Sequence, residues 1–205
     1  MTRQAILDAA HEMFDARGFD NVTVAEIADA ANISAKTVFA HFPSKEDLVF
    51  DDEEELRDSV LCSLRQRAPG QSPLQALVTL LSEMVPETVS ETITHLSRLL
   101  GPVASSTTLK SRLRLFWDQL EHDVAEQLAE ELGERADSPR PRIAAAQLVL
   151  VFRMLASEEH LGYLRANPRQ SSRDVWLEAM VDLVGGGIAD YPASRPSMRA
   201  CRPTG

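Results

Sequence analysis

Apolar residues recur at helical spacing along most of the chain. Over residues 3–17, Ile6, Leu7, Ala10, Met13 and Phe14 fall on one face. Gly18 follows as a C-cap, since glycine accepts the backbone that ends a helix. Thr23, with Glu26 three residues on, forms a capping box for a second helix. Its inner face is Val24, Ile27, Ala28 and Ala31. Asn32 suits a turn, and Ser34 caps a third helix with Val38 and Phe42 inward. Pro43 and Ser44 stop that helix and start a fourth, running to about Arg67 with Leu48, Leu56, Val60 and Leu64 inward. The stretch Thr23–Leu48 therefore reads as a helix-turn-helix closed by the start of the next helix.

Beyond the loop signal APGQSP (Ala68–Pro73), the periodicity predicts helices near 73–86, 88–100, 106–132, 140–165 and 172–189. The 106–132 segment carries Leu109, Leu113, Phe116, Trp117, Leu120, Val124 and Leu128 on one stripe. Gly101-Pro102 and the polar stretch 133–141 separate it from its neighbours. In 140–165 the apolar set is Ile143, Leu150, Val151, Met154, Leu155 and Leu161, interrupted by Gln147 and Glu158. The last helix offers Val175, Trp176, Ala179, Met180, Leu183 and Val184. Residues 190–205, with Pro192, Pro196 and Pro203, are expected to be a disordered tail. No internal repeat or strand pattern stands out. The expectation is an all-α fold of about nine helices. A helix-turn-helix domain over 1–45 would precede a helical domain over 46–189.

Composition changes this picture little. Hydrophobic residues make up 44% and charged residues 25%, the balance of an ordinary globular chain, with aromatics at only 5%. No apolar run approaches the roughly 18 residues a membrane span needs, and the N-terminus lacks a signal-peptide layout. A cytoplasmic protein is expected, with no membrane partner. Cys62 and Cys201 lie far apart and form no CxxC, which argues against a disulfide framework or a zinc cluster. His95, His122 and His160 share no HxxxH spacing, so no metal site is expected.

Charge matters more. The net charge of −10 argues against nonspecific coating of nucleic acid. In the first 45 residues, Arg3, Arg17, Lys36 and Lys45 face Asp8, Glu12, Asp15, Asp20, Glu26 and Asp29. Four cations against six acids leave this module at −2. The acid run Asp51–Glu55 reads as a solvated helix face, because five consecutive acids cannot converge on one ion.

A helix-turn-helix needs helix N-termini aimed at phosphates, small polar side chains on phosphate oxygens, and exposed residues at base edges. Thr23 and Ser34 supply capped N-termini. With Val38 and Phe42 inward, the outward positions are Ala35, Lys36, Thr37, Phe39, Ala40 and His41. Lys45 is placed as a phosphate clamp, with an ordinary solvated lysine as the alternative for it and for Lys36. For His41 the alternative is a partly buried residue closing the module.

The run TVAEIAxxAxISxxTVFxHFxSKEDL, preceded by AILDAAHEMFDARGFDNVTV, resembles the TetR-type family of bacterial transcriptional regulators. The resemblance covers roughly the first quarter of the chain. It implies phosphate contacts at Thr23, Thr37, His41 and Lys45, and base-reading positions at Ala25, Ala35, Lys36, Phe39 and Ala40. Phe39 stands where the family commonly has a Tyr that bonds phosphate. Phe cannot, so it either packs against sugar and thymine methyls or only fills space. Asn32 stands where Gly is common, and Asn is the next residue to tolerate a left-handed turn. Lys36 is the foremost candidate for a guanine contact.

The resemblance also implies a homodimer, a palindromic double-stranded DNA operator, and repression relieved by a small ligand in the body. Candidate pocket residues are Met84, His95, Arg98, Leu99, Phe116, Trp117, Leu120, His122 and Phe152, for a largely apolar effector. Plain core packing is the alternative for each. Dimerisation is expected through 140–165 and 172–189, with Met154, Leu161, Trp176 and Met180 in the seam. DNA binding should weaken steeply with salt. Gly185–Gly187 lacks the strand and the Lys-Ser/Thr of a phosphate loop and reads as a helix end or close helix contact. No catalytic arrangement or cofactor motif stands out, so an enzyme is not expected. A second reading is a helical interaction protein whose DNA reader is degenerate. Its motive is the acidic module and alanine-rich third helix.

Overall fold

Short-range caps set the first elements. In the computed structural model, which describes residues 2–188, α1 spans Thr2–Arg17 and ends at Gly18, whose φ is +79°. A 3₁₀ turn, Phe19–Asn21, leads to α2, Val24–Ala30. The Glu26 amide donates to Thr23 Oγ1 (3.3 Å) and the Thr23 amide donates to Glu26 Oε2 (2.8 Å), closing the predicted capping box. Asn32, at φ +55°, makes the tight turn. Ser34 caps α3, Ala35–His41, by accepting from the Thr37 amide at 3.1 Å. The rest is helical: α4 Glu53–Arg65, α5 Pro73–Met84, α6 Val89–Ser105, α7 Thr107–Leu132, α8 Pro139–Leu155, α9 Glu158–Ala166 and α10 Ser171–Ile188. The described residues thus form an all-α fold, with ten helices and no strand among them. No described helix is long and apolar enough to cross a membrane. The expectations placed on Cys201 and on a tail over 190–205 lie outside the described residues.

Three predicted boundaries are corrected. The fourth helix does not run from Ser44. A 3₁₀ turn, Glu46–Leu48, comes first, and α4 begins only at Glu53. Ser44 caps that turn: the Asp47 amide donates to Ser44 Oγ (3.3 Å) and the Ser44 amide donates to Asp47 Oδ2 (2.7 Å). Gly101-Pro102 does not end α6, which carries Pro102 inside it. Leu100, Pro102 and Val103 are all buried there, and packing outweighs the missing amide. The predicted 140–165 helix breaks at Ala156, and Ser157 caps α9 by accepting from the His160 amide at 3.1 Å.

Two compact units emerge. The first holds residues up to Glu53 together with Thr94–Arg114. Its core joins Ile6, Phe14, Phe19, Ile27, Val38, Phe42 and Leu48 to Val103 and Leu109. Ser106, buried at the α6–α7 corner, donates from Oγ to Asp20 Oδ1 at 2.9 Å. The acid run is the solvated face expected only in part: Asp52, Glu54 and Glu55 are exposed, but the other two acids are tied down. Asp51 is ion-paired with Arg3 at 3.1 Å, and Glu53 with Arg112 at 2.9 Å. Arg112 also pairs with Asp47 at 2.6 Å. Burial pushes the Glu53 carboxyl up against the pull of Arg112. Asp47 is also pushed up by burial, but hydrogen bonds from Ser44 and Arg112 hold it below the usual carboxylate range.

The second unit, Glu54–Ile93 with residues from Leu115 onward, is built on Leu64, Leu77, Leu120, Leu128, Leu148 and Leu164, all fully buried. α10 packs on α8 and α5, and a Cβ at Gly185 would sit 3.4 Å from Leu74 Cδ2, so the glycine serves a close helix contact. The sequence did not mark Arg67 as buried. Its side chain is 0% exposed, donating to Leu64 O (2.7 Å) and pairing with Glu131 (2.6 Å). Truncating one partner of a buried pair strands the other charge. Arg67→Ala is therefore expected to lower unfolding free energy by about 3 kcal/mol in urea titration.

His160 is also buried. Its Nδ1 lies 2.7 Å from Leu155 O, its Nε2 has no partner, and its ring packs on Trp176 at 5.2 Å. Burial lowers its pKa below the ordinary 6.5, against the pull of that carbonyl. The folded state thus prefers the neutral ring. Its contribution to stability is complete above about 6.5 and lost as pH falls through the lower folded value. Melting at about pH 5.5 and about pH 7.5 should show an acid-side loss that shrinks in His160→Phe.

Candidate nucleic-acid interface

The helix-turn-helix is α2 and α3, held by a buried inner face. Ile27, Ala28, Val38 and Phe42 point into the core. Opposite them, Thr23, Ala25, Ser34, Lys36, Phe39, Ala40 and His41 are exposed, and Ala35 and Thr37 are half-buried. The predicted DNA-facing positions in α2 and α3 thus lie on the outside of the two helices. His41 is not the partly buried closing residue that was the alternative. Thr37 is tied into the α3 cap, with its Oγ1 2.8 Å from Ser34 Oγ.

Lys45 is neither solvated nor held out as a free clamp. Its ammonium donates to Phe19 O (2.9 Å) and Val22 O (3.0 Å) and lies 4.1 Å from the centroid of the Phe19 ring. Two of its three donors are used at the turn that leads into α2. Arg17 is likewise engaged, pairing with Glu26 at 2.8 Å and donating to Asn21 O at 2.8 Å. Hydrogen bonds from Thr23 and then the Arg17 pairing hold the Glu26 carboxyl down to about 2, so the α2 cap stays charged at neutral pH. With Arg3 on Asp51, Lys36 is the one cation of residues 2–45 with no internal partner. The outer face therefore offers helix N-termini, one lysine without an internal partner, the hydroxyls of Thr23, Ser34 and Thr37, His41, and an apolar patch of Ala35, Phe39 and Ala40. A steep salt dependence does not follow from so few free charges.

The residues predicted to line a pocket differ in exposure. Met84, His95, Arg98 and His122 are exposed, and His122 pairs with Glu126 at 3.2 Å. Trp117, Leu120 and Phe152 are buried as core, with Phe116 packed edge-on against Trp117. His95, Arg98 and Leu99 belong to the first unit, the others to the second. Two cavities flank α4 in the second unit. One, of about 790 Å³, is lined by α4 and α5 residues including Glu55, Asp58, Arg65, Thr79 and Glu83. The other, of about 440 Å³, includes Arg57, Asp123, Glu126 and Glu130. None of the predicted residues lines either. Periodicity marks apolar faces, but not which of them close on themselves.

Two of the predicted seam residues are already used in packing within the chain. Leu161 and Met180 are buried within the second unit, Met154 is half-buried, and Trp176 packs on His160 and Tyr163. The large apolar residues that α8 and α10 leave exposed, among the described residues, are Ile143, Leu150, Val175 and Leu183.

A helix-turn-helix with an exposed outer face, joined to an all-helical body, defines a DNA-binding protein. Residues 6–51 match the family model described as bacterial regulatory proteins, tetR family. The chain is 28% identical over 189 residues to the HTH-type transcriptional regulator TcmR of Streptomyces glaucescens, covering 88% of this chain and 81% of that one. It is 35% identical over 94 residues to the regulator AcrR of Shigella flexneri, covering 44% and 43% of the two chains. Among solved structures, NalD of Pseudomonas aeruginosa, a secondary repressor of the MexAB-OprM multidrug efflux pump, is similar with a TM-score of 0.57 at 25% identity. That match covers 91% of this chain and 96% of NalD. SmeT in complex with triclosan shares the fold at TM-score 0.57 and 18% identity, over 99% of both chains. Residues 6–51 are thus similar to the tetR family of bacterial regulatory proteins, and the chain over most of its length is similar to transcriptional regulators.

Lys45→Ala removes two charge-assisted hydrogen bonds inside the head. It should cost about 2 kcal/mol of stability by denaturant titration, even without DNA. An unchanged midpoint would show that the ammonium is not holding the turn.

Proposed function

We propose that this DNA-binding regulator is a repressor that holds a palindromic operator as a homodimer and releases it when a small effector binds the helical body. The carrying observation is the exposed outer face of α2 and α3, backed by a fully packed inner face. On this reading α3 lies in the major groove, with Thr23, Thr37 and His41 at phosphates and Lys36 at a purine edge. Lys45 contributes its third donor to phosphate. The whole-length likeness to NalD, itself a repressor, supports repression.

The dimer seam we assign to Ile143 and Leu150 on α8 and Val175 and Leu183 on α10. Ile143 is 60% exposed and Leu183 82%, large for apolar side chains on two helices that already pack together. The effector would occupy the second unit. The 790 Å³ cavity is of small-molecule size, and its charged lining favours a polar effector over the apolar one expected from sequence.

A shift assay with the DNA flanking the chain's own gene tests this function. Retarded complexes are expected, and no binding at micromolar protein and low salt would favour the degenerate-reader alternative. Light scattering should give a dimer for the native chain. Ile143→Asp with Leu183→Asp should give a helical monomer whose operator affinity falls at least about a hundredfold, because two half-sites no longer act together. A monomeric native chain would refute the dimer.

A further inference from the structure

Cys62 stands in the wall of the 790 Å³ cavity between α4 and α5. Glu55, Asp58, Ser59 and Cys62 share one face of α4 there, and Ala76, Thr79, Leu80 and Glu83 form the α5 wall. Ser63 Oγ donates to Ala76 O at 3.1 Å and ties the two walls together beside Cys62. Of the two arginines at the cavity, Arg67 is paired with Glu131, so Glu55, Asp58 and Glu83 leave the lining acidic against Arg65 alone. Cys62 is disulfide-bonded, contrary to what the spacing of the cysteines led us to expect. The sequence holds one other cysteine, Cys201, beyond the described residues. A disulfide brings its two Cα atoms within roughly 7 Å. The chain can span the distance. α10 lies against α5, where Gly185 meets Leu74, and ends at Ile188. The thirteen residues from there to Cys201 reach up to about 43 Å. The twelve residues of α5 extend only about 18 Å. Residues 191–205 carry Arg195, Arg199 and Arg202 and no acid, a charge complementary to the cavity.

We infer that residues 191–205 dock in the α4–α5 cavity with their arginines on Glu55, Asp58 and Glu83, and that a reversible Cys62–Cys201 disulfide locks them there. This is a redox lock on the cavity assigned above to the effector, and it rests on that reading only for its regulatory consequence. A DNA-binding protein works where thiols are kept reduced, and disulfides formed there are redox-sensing ones. The oxidant is a hydroperoxide. It passes one oxygen to a thiol, giving a sulfenic acid, and leaves as an alcohol or water. The second thiol then attacks that sulfur, the S–S bond forms and water departs. A dithiol reductant restores both thiols, after which only ion pairs hold the segment and a ligand can displace it.

The test uses the full-length chain, reduced, freed of reductant and treated with hydrogen peroxide. Peptide mass spectrometry should show Cys62 joined to Cys201 within a monomer, and dithiothreitol should reverse the bond. Labelling of carboxylates with a carbodiimide and glycine ethyl ester should fall at Glu55, Asp58 and Glu83 in the oxidised chain, but not in Cys201→Ser treated alike. In a glutathione redox buffer, Arg195→Glu with Arg199→Glu and Arg202→Glu should lower the equilibrium constant of the disulfide about tenfold, the scale of three surface ion pairs. A Cys62 bond to a second chain, oxidation of both thiols to sulfinic acid, unchanged carboxylate labelling, or an unchanged equilibrium constant in the arginine variant overturns the proposal. No readout involves DNA or an effector, so failure here leaves the repressor reading standing, and failure of that reading leaves the lock.

Discussion

The ammonium of Lys45 is the point on which the reading head depends. It reaches back from beyond α3 to the carbonyls of Phe19 and Val22, at the turn that launches α2. Without it, the turn before Thr23 would keep two carbonyls without that charged partner, and the two helices of the reader would lose a tie across their open end. The bond also spends charge. A lysine that could spend all three donors on phosphate gives two of them to the turn that shapes the reading head.

The same economy runs through the first unit. Arg3 holds Asp51, Arg17 holds Glu26 and the Asn21 carbonyl, and Arg112 holds Asp47 and Glu53 while lying over the Phe50 ring. These pairs explain how an acidic head can be a reader. Several of its acids are matched from within. Arg112 also ties the start of α7 to the segment after α3, so the head includes residues far along the chain.

Relations within a few residues were legible in the sequence. Thr23 with Glu26, Ser34 with Thr37, and Asn32 at the turn each follow from side chains bonding nearby amides, and the structure places them so. The break before α9 was legible too, in Ser157 followed by Glu158 and Glu159, but the apolar run across it hid the cap. Lys45 was not, because its partners lie 26 and 23 residues earlier. The buried face of α8 was misjudged because the helix is apolar on two sides. Leu148, Val151 and Phe152 enter the core while Ile143 and Leu150 stay outside. Periodicity finds such faces but cannot say which one meets the chain's own core. Nor does periodicity mark His95, Arg98 and His122 as the exposed positions they are.

Arg3, Arg17 and Lys45 are engaged within the chain, which would leave Lys36 and one donor of Lys45 per protomer for DNA. The slope of log affinity against log salt concentration counts neutralised phosphates directly. For the dimer on its operator the account predicts a shallow slope, about −2 to −4, from two to four phosphate neutralisations. A slope of about −8 or steeper would contradict it, because the internally paired cations would then be bound to DNA.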